Sequence, residues 1–420
     1  MTKQALMIST FAASLLAAGG VLAADHPGQK FQISPASLAK PYATPGVAND
    51  AATIPRPAGT MPEVPKGFRV SIFADNLSAA RWMALAPNGD VFLAEPPGDY
   101  KARSGGKITV LRDSNNDGKA DQRFTFLPAS AGFVYPHGLA LQGGYLYVGD
   151  VRGIWRFPYK DGQTAAGKPE KVTSKVADLA PKNGHVTRNI AFGPDGGLYM
   201  ALGSRDNISD YKPGAQVFKI NPDGGMSEFA SGIRNPVGIA FAPGTNNLYV
   251  VTNERDGLGD ALPPDYMTSV KQGGFYGYPY AYIGKNPDPT WGAKDPGGKV
   301  ASTITPDVLF QAHSAPTGLA FYTGSNFPAE YKNDAFVSLH GSWNAGNPTG
   351  YKVVRVRFVN GKPVNGYENF ATGFWNGMGS SGQPAKVWGR PVGLSVAKDG
   401  SLLIADDVAN VVWRVTYTGK

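Results

Sequence analysis

The chain of 420 residues contains no cysteine. Disulfide stapling and covalent c-type haem attachment are thereby excluded, so stability rests on a large core or a bound metal, and any electron carrier is a separate molecule. Charge is also sparse, at 17% of residues against 42% hydrophobic and 11% aromatic, a core-forming balance that excludes a wholly disordered chain. Histidine occurs only five times, at His26, His137, His185, His313 and His340. A His-x-x-x-His pair, a nucleophile elbow and a phosphate-cradling loop are all missing, which removes support for zincin, hydrolase and nucleotide chemistry. The net charge of +8 suits an anionic ligand, but no Lys/Arg stripe concentrates it, which argues against nucleic acid.

Turn-forming residues are abundant instead: 54 Gly and 34 Pro make up about a fifth of the chain, against roughly 12% in ordinary usage. Residues 1–24 read as a secretory signal, with Lys3 as the positive start, an apolar stretch from Ala5 to Leu22, and small residues for cleavage at Leu22-Ala23-Ala24. The expected location is periplasmic or secreted, without stable membrane insertion, because no later stretch could span a bilayer. From Asp25 to about Pro65 the chain is rich in Pro and Ala without a sustained period, and is expected to lie as a leader along the body formed by residues 66–420.

A short apolar run, a turn rich in Gly, Asn or Asp, and a second apolar run recur six times. The copies begin at Trp82, His137, Asn189, Val237, Thr317 and Val392; that at Asn189, for instance, reads Asn189-Ile190-Ala191-Phe192, Gly193 to Gly197, then Leu198-Tyr199-Met200. Each is the signature of an antiparallel hairpin buried on both faces. After most of them comes an alternating strand, at 108–111, 154–157, 217–220, 353–358 and 411–415. A sheet of this kind cannot cover both faces alone, whereas radial stacking of copies covers each face with a neighbour. The expected fold is therefore all-β, a six-bladed β-propeller of four-stranded antiparallel blades, with the strand Arg69 to Phe73 pairing near 411–416 to close the ring. A β-sandwich is the competing fold, but it has no reason to repeat one phrase six times. Long loops are expected at 256–280 and 341–351, where a rigid scaffold usually builds binding.

His137, His185 and His313 lie near the starts of first strands, positions that converge on one end of a propeller channel. There a histidine could act as a base near neutral pH, or be a buried imidazole satisfied by a carbonyl. Arg81, Arg188, Arg234 and Arg390 have the same placement, and either converge to clamp carboxylates or pair with acids on the rim. The segment Asp113 to Asp121 carries oxygens at calcium-loop spacing around Gly118, but position twelve is Phe124; it reads either as a polar hairpin turn or as a structural calcium loop.

Five phrases taken in order resemble the pyrroloquinoline quinone (PQQ)-dependent sugar dehydrogenases, in particular the L-sorbosone dehydrogenase-like branch related to soluble glucose dehydrogenase. They are His185-Val186-Thr187-Arg188-Asn189, Gly232-Ile233-Arg234-Asn235-Pro236, Asn253-Glu254-Arg255-Asp256-Gly257, Gly273-Gly274-Phe275-Tyr276-Gly277 and Leu339-His340-Gly341-Ser342-Trp343. The resemblance spans roughly Gly67 to Tyr417. It implies a PQQ cofactor with three carboxylates and a Ca²⁺ ion. By phrase it makes His185 the general base and Arg234 a catalytic charge stabiliser. Arg81, Arg234, Asn235, His340 and Arg390 would contact the cofactor, and Glu254, Asp256 and Gly257 would form the metal turn. It further implies a small sugar as substrate and a separate electron acceptor, either a soluble cytochrome or a membrane quinone chain. One departure stands out: Gly184 occupies the place of the Asp that orients the catalytic His in soluble glucose dehydrogenase. The alternatives from other classes are a Ca²⁺-dependent propeller lactonase or esterase and a non-catalytic carbohydrate-binding propeller.

Overall fold

Six sheets form a ring of blades whose first strands touch one another in sequence and close back from the sixth to the first, which makes them the inner strands. Their inner strands are Trp82–Leu85, Gly138–Gln142, Ile190–Phe192, Asn235–Phe241, Pro316–Phe321 and Pro391–Val396. In blades 1 to 5 the chain then meanders outward through three further antiparallel strands. Blade 6 takes its outermost strand, Phe68–Ala74, from the beginning of the ring, paired from Tyr417↔Phe68 to Val412↔Ala74. The six-bladed propeller and its closure are thus as the repeats imply. The computed structural model describes residues 25–98, 104–177, 179, 184–376 and 383–420, so the expected signal segment lies outside the described residues. Among them the one α-helix is the four-residue turn Lys299–Ser302.

The period-2 alternation of each strand feeds two different cores. In blade 6, Leu402 and Ile404 pack toward blade 5 with Phe336 and Val353, while Leu403 and Ala405 pack toward blade 1 with Val91 and Leu93. Equivalent clusters fill the other four inter-blade gaps.

The glycine repeated in the first strand has a definite cause. A Cβ on Gly318 would lie 2.1 Å from the Val392 carbonyl of blade 6, and one on Gly393 would lie 2.1 Å from the Arg81 carbonyl of blade 1. Inner strands approach so closely there that only hydrogen fits.

One expected loop is in part a strand. Within 256–280, Pro264–Val270 is the third strand of blade 4, paired with Leu248–Thr252. It is covered on both faces, so its sequence shows no alternation by which it could be recognised. The expected loop at 341–351 is open loop up to Tyr351.

The segment 25–65 lies on the propeller. Lys30–Phe31 adds a fifth strand to blade 5, and Ala52–Thr53 pairs in parallel with Lys386–Val387. Buried Lys352 holds Asp25 at 3.0 Å.

Candidate active site at the channel mouth

At one end of the ring opens a cavity of about 660 Å³, a size typical of small-molecule sites. Its wall comes from entry loops and strand ends of blades 1, 3, 4, 5 and 6, together with Asp50 of the leader. Arg81, Arg234 and Arg390 immediately precede or open their inner-strand regions, and all three line it. So do His185, Asn235, Glu254, Asp256, His313 and His340. Nine residues singled out in the sequence therefore share one cavity. Gly257 is not in the wall; it lies in the turn behind Asp256, where a Cβ on Gly46 of the leader would meet its Cα at 3.2 Å.

His185 is held by a backbone group. Its Nδ1 lies 2.8 Å from the Ser204 carbonyl, which fixes the proton on Nδ1 and leaves the Nε2 lone pair free. Burial, and then the neighbouring Arg234 charge, lower its pKa to about 3, so the ring is neutral at pH 7. Gly184 is required here: its φ is +113° and a Cβ would lie 1.9 Å from the Arg205 carbonyl. No carboxylate can occupy position 184 in this backbone, and the Ser204 carbonyl takes over its orienting role. Gly203 completes the cradle, since a Cβ there would fall 2.3 Å from Asn235 Oδ1 and 2.7 Å from His185 Cβ.

The three arginines differ in how they are backed. Arg234 donates from Nε to the Asn207 carbonyl at 3.0 Å and from Nη1 to the Glu254 carbonyl at 2.7 Å, with the Asp256 carboxylate no nearer than 3.6 Å. Arg390 donates to the carbonyls of His340 and Gly341 at 2.9 and 2.7 Å and has no carboxylate partner. Both guanidiniums are rigid and keep their charge for a ligand. Arg81 is instead neutralised by Asp407 at 2.7 Å. Asp407 also accepts from His340 Nε2 at 3.0 Å; the cations around it hold it well below the usual carboxylate range despite burial. Burial, and next Arg390, push His340 down to about 4.

Glu254 and Asp265 are the buried acids of the cavity wall. Asp265 is spent on the frame, accepting from the backbone N–H groups of Glu254 and Ala315, each at 2.8 Å. Burial raises the Glu254 pKa to about 7, and its Oε1 has no partner. Thr187 Oγ1 and Asn235 Oδ1 are likewise buried in the wall without a partner. Buried polar atoms are normally satisfied, so three orphans among the lining residues of one cavity mark a place for a ligand.

Two sequence candidates lie elsewhere. The Arg188 side chain is buried beneath the loop, donating to the carbonyls of His185, Thr187 and Leu179 at 2.7–2.8 Å, so it does not reach the mouth. His137 is fully enclosed between Trp82 and Tyr135, and its Nδ1 lies 2.6 Å from Asn189 Oδ1. In the Asp113–Asp121 turn, the Asp113 carboxylate accepts from the N–H groups of Asp117 and Gly118, and Asp121 accepts from Ser114, as in a polar turn. Sequence reasoning missed Asp50, Ser204, Asn207, Asp265 and Asp407. Asp407 alone left a trace, since Asp406, Asp150 and Glu95 all end second strands and cap entry-loop N–H groups, which sets its neighbour apart.

The residues present fit a polyanionic ring at Arg234 and Arg390. Glu254 Oε1 and the Asp256 carboxylate are hard oxygens suited to Ca²⁺, but two carboxylates fall short of its six to eight ligands. Among the described residues no cluster of three or more acids or histidines is arranged to hold a metal alone. The protein's share of a calcium site is therefore partial.

A profile described as TrAA12-like matches residues 62–290 and 294–418. An uncharacterized protein of Borreliella burgdorferi is 31% identical over 370 residues, 84% of this chain and 90% of that protein. The calcium structure of the Trichoderma reesei carbohydrate-active enzyme of family AA12 superposes with a TM-score of 0.70 at 20% identity, over 87% of this chain and all of that one. The holo form of the pyranose dehydrogenase PQQ domain from Coprinopsis cinerea gives a TM-score of 0.67 at 21% identity, again over 87% of this chain and 100% of that one. None of these similarities specifies the L-sorbosone dehydrogenase-like branch. The chain belongs to the TrAA12-like family of PQQ-dependent sugar dehydrogenases.

Proposed function

We propose that the chain is a PQQ- and Ca²⁺-dependent oxidoreductase of the periplasm or cell exterior that oxidises an aldose or a sorbosone-like sugar aldehyde. The observation that carries this reading is the neutral His185, its Nε2 free in a cavity that also presents two guanidiniums held by backbone carbonyls, Arg390 without a carboxylate partner and Arg234 with Asp256 at 3.6 Å.

Arg234 and Arg390 would hold the carboxylates and carbonyl oxygens of the quinone, with Asn235 beside them. Glu254 and Asp256 would supply oxygens to the calcium ion. When bound, the quinone supplies a two-electron acceptor for the hydride of the sugar carbon, polarised by the ion. His185 Nε2 takes the proton of the sugar's anomeric hydroxyl; its Nδ1–H stays on Ser204, so the ring does not rotate as charge develops. Arg234, held by the Asn207 and Glu254 carbonyls, would stabilise negative charge on a bound acceptor without reorganising. A separate molecule, a soluble cytochrome or a membrane quinone chain, would take up the electrons, since the chain has no cysteine for attached haem.

The deciding experiment adds quinone and Ca²⁺ to the purified protein and follows dye reduction over a panel of aldoses and sugar aldehydes. Cofactor absorbance together with sugar-dependent reduction is the expected result. Absence of both would overturn the reading in favour of a lactonase or a carbohydrate-binding propeller.

A further inference from the structure

The leader is more than a cover. Between residues 42 and 54 it crosses the mouth, tied first to blade 4 and then to blade 5. Tyr42 N–H donates to the Leu258 carbonyl and the Thr44 hydroxyl accepts from Asp260 N–H, both at 2.8 Å. Asn49 N–H donates to the Trp343 carbonyl at 2.7 Å, and its side chain donates to the Ala345 carbonyl at 2.9 Å. Ala52 N–H and Ile54 N–H donate to the carbonyls of Ala385 and Val387, each at 2.8 Å. Asp50 thus has a pinned residue on either side. Its backbone position is fixed although the residue itself is exposed.

The other cavity acids are buried or engaged. Asp265 caps backbone N–H groups, Asp256 accepts from Asn344 Nδ2 at 2.5 Å, and Glu254 lies buried with Arg255 N–H at 3.2 Å on Oε2. Asp50 lines the same cavity as Trp343 and Asn344, is exposed, and among the described residues has no hydrogen bond or ion pair. A carboxylate fixed in this way accepts hydroxyl hydrogens from a polyol well and repels a second carboxylate.

We propose that Asp50, delivered to the mouth by the leader, is a substrate-binding residue that accepts hydroxyl hydrogens of a neutral sugar and discriminates against sugar acids. The proposal rests on the sugar-oxidising reading above and deepens it by naming the substrate class.

The test uses the full chain loaded with quinone and Ca²⁺ and compares glucose with glucuronate, which differ by one carboxylate. Equilibrium binding is measured calorimetrically on the reduced, non-turning-over protein, and kcat/KM by dye reduction. The quantity read is the ratio of glucose to glucuronate preference, which general loosening of the site does not move. Asp50→Asn is expected to lower that ratio about fivefold, and Asp50→Lys to lower it further, past about tenfold. Asn49→Ala, which unpins the strap without changing charge, is expected to weaken both sugars alike. A ratio within twofold of wild type in both Asp50 variants would overturn the proposal. So would an equal shift of the ratio in Asn49→Ala, or a change confined to Ca²⁺ affinity. If wild type takes up no quinone, the oxidoreductase reading fails on its own; the same two binding isotherms on the unloaded chain then still decide the role of Asp50.

Discussion

Blades 2 and 3 each carry a histidine at their entry, and the two have opposite fates. His137 directly abuts the inner strand Gly138–Gln142, so its ring is driven into the wall, where Trp82 and Tyr135 enclose it. His185 stands five residues before the strand Ile190–Phe192, out in the loop, and reaches the cavity. Both rings are neutral, with pKa values pushed down to about 3 chiefly by burial. What separates them is the second nitrogen. In His185 it is free at a ligand cavity; in His137, Nε2 is buried without a partner. His137 is a tie, through Asn189 to the Val237 carbonyl, that links blades 2, 3 and 4. Blade 2 accordingly supplies none of the lining residues described above.

Exchanging the consequences of the two histidines is the sharpest way to break this comparison. His185→Ala is expected to lower kcat by about 10³-fold while quinone still binds, as loss of a general base does. His137→Ala is expected to lower the melting temperature and leave kcat within a few-fold. Steady-state dye reduction and spectroscopic quinone titration on both variants check this. Equal kcat losses would make the distinction between tie and base untenable.

The next effect concerns the missing carboxylate. Gly184→Asp restores the residue seen in soluble glucose dehydrogenase, yet its Cβ would collide with the Arg205 carbonyl at a φ of +113°. It is expected to destabilise the fold by about 3 kcal/mol, through strain and overpacking, and to lower kcat rather than raise it. Denaturant unfolding and kinetics on the one variant test both halves.

The arginines divide in the same way. Arg234→Ala and Arg390→Ala each remove a guanidinium held mainly by backbone carbonyls, with no carboxylate closer than the 3.6 Å of Asp256 to Arg234, and are expected to weaken quinone binding about 100-fold, some 3 kcal/mol. Arg81→Ala removes one that Asp407 already neutralises, and about tenfold is expected. Titration of quinone absorbance ranks the three; a reversed order would refute the role given to the backing carbonyls.

The ring was readable because its cause is local and repeated. Gly318 and Gly393 recur in phase since each inner strand presses on the next blade, and such pressure leaves a mark in every copy. The strand Pro264–Val270 was hidden because burial on both faces erases alternation. In the site, long side chains next to strands, Arg81, Arg234 and Arg390, were found from position alone. Asp50 and Ser204 were not: one arrives from a leader distant in sequence, and the other acts through its backbone carbonyl, which residue identity does not encode. Arg188 misled because its position matches the other arginines, while its side chain supports the His185 loop from below.

The smallest effect is one of pH. In the folded protein His137 titrates near 3, with burial the largest cause and the charge of Arg81 next, against the Asn189 bond and Asp407. Unfolded, it titrates near 6.5. Between those values the unfolded chain binds a proton that the folded chain refuses, so stability is complete above about 6.5 and is lost as pH falls toward 3. From pH 7 to pH 5 this costs about 2 kcal/mol for a fully enclosed ring. Glu254 and Asp406, raised by burial to about 7 and about 6, act in the opposite sense and lose stability as pH rises through those values. Their contribution cancels when wild type is compared with His137→Gln, which keeps an N–H for Asn189 but cannot titrate. Urea unfolding at pH 7 and pH 5 should therefore show the variant losing about 2 kcal/mol less than wild type on acidification. Equal losses would mean that His137 is protonated inside the wall, and the contrast with His185 would have to rest on position alone.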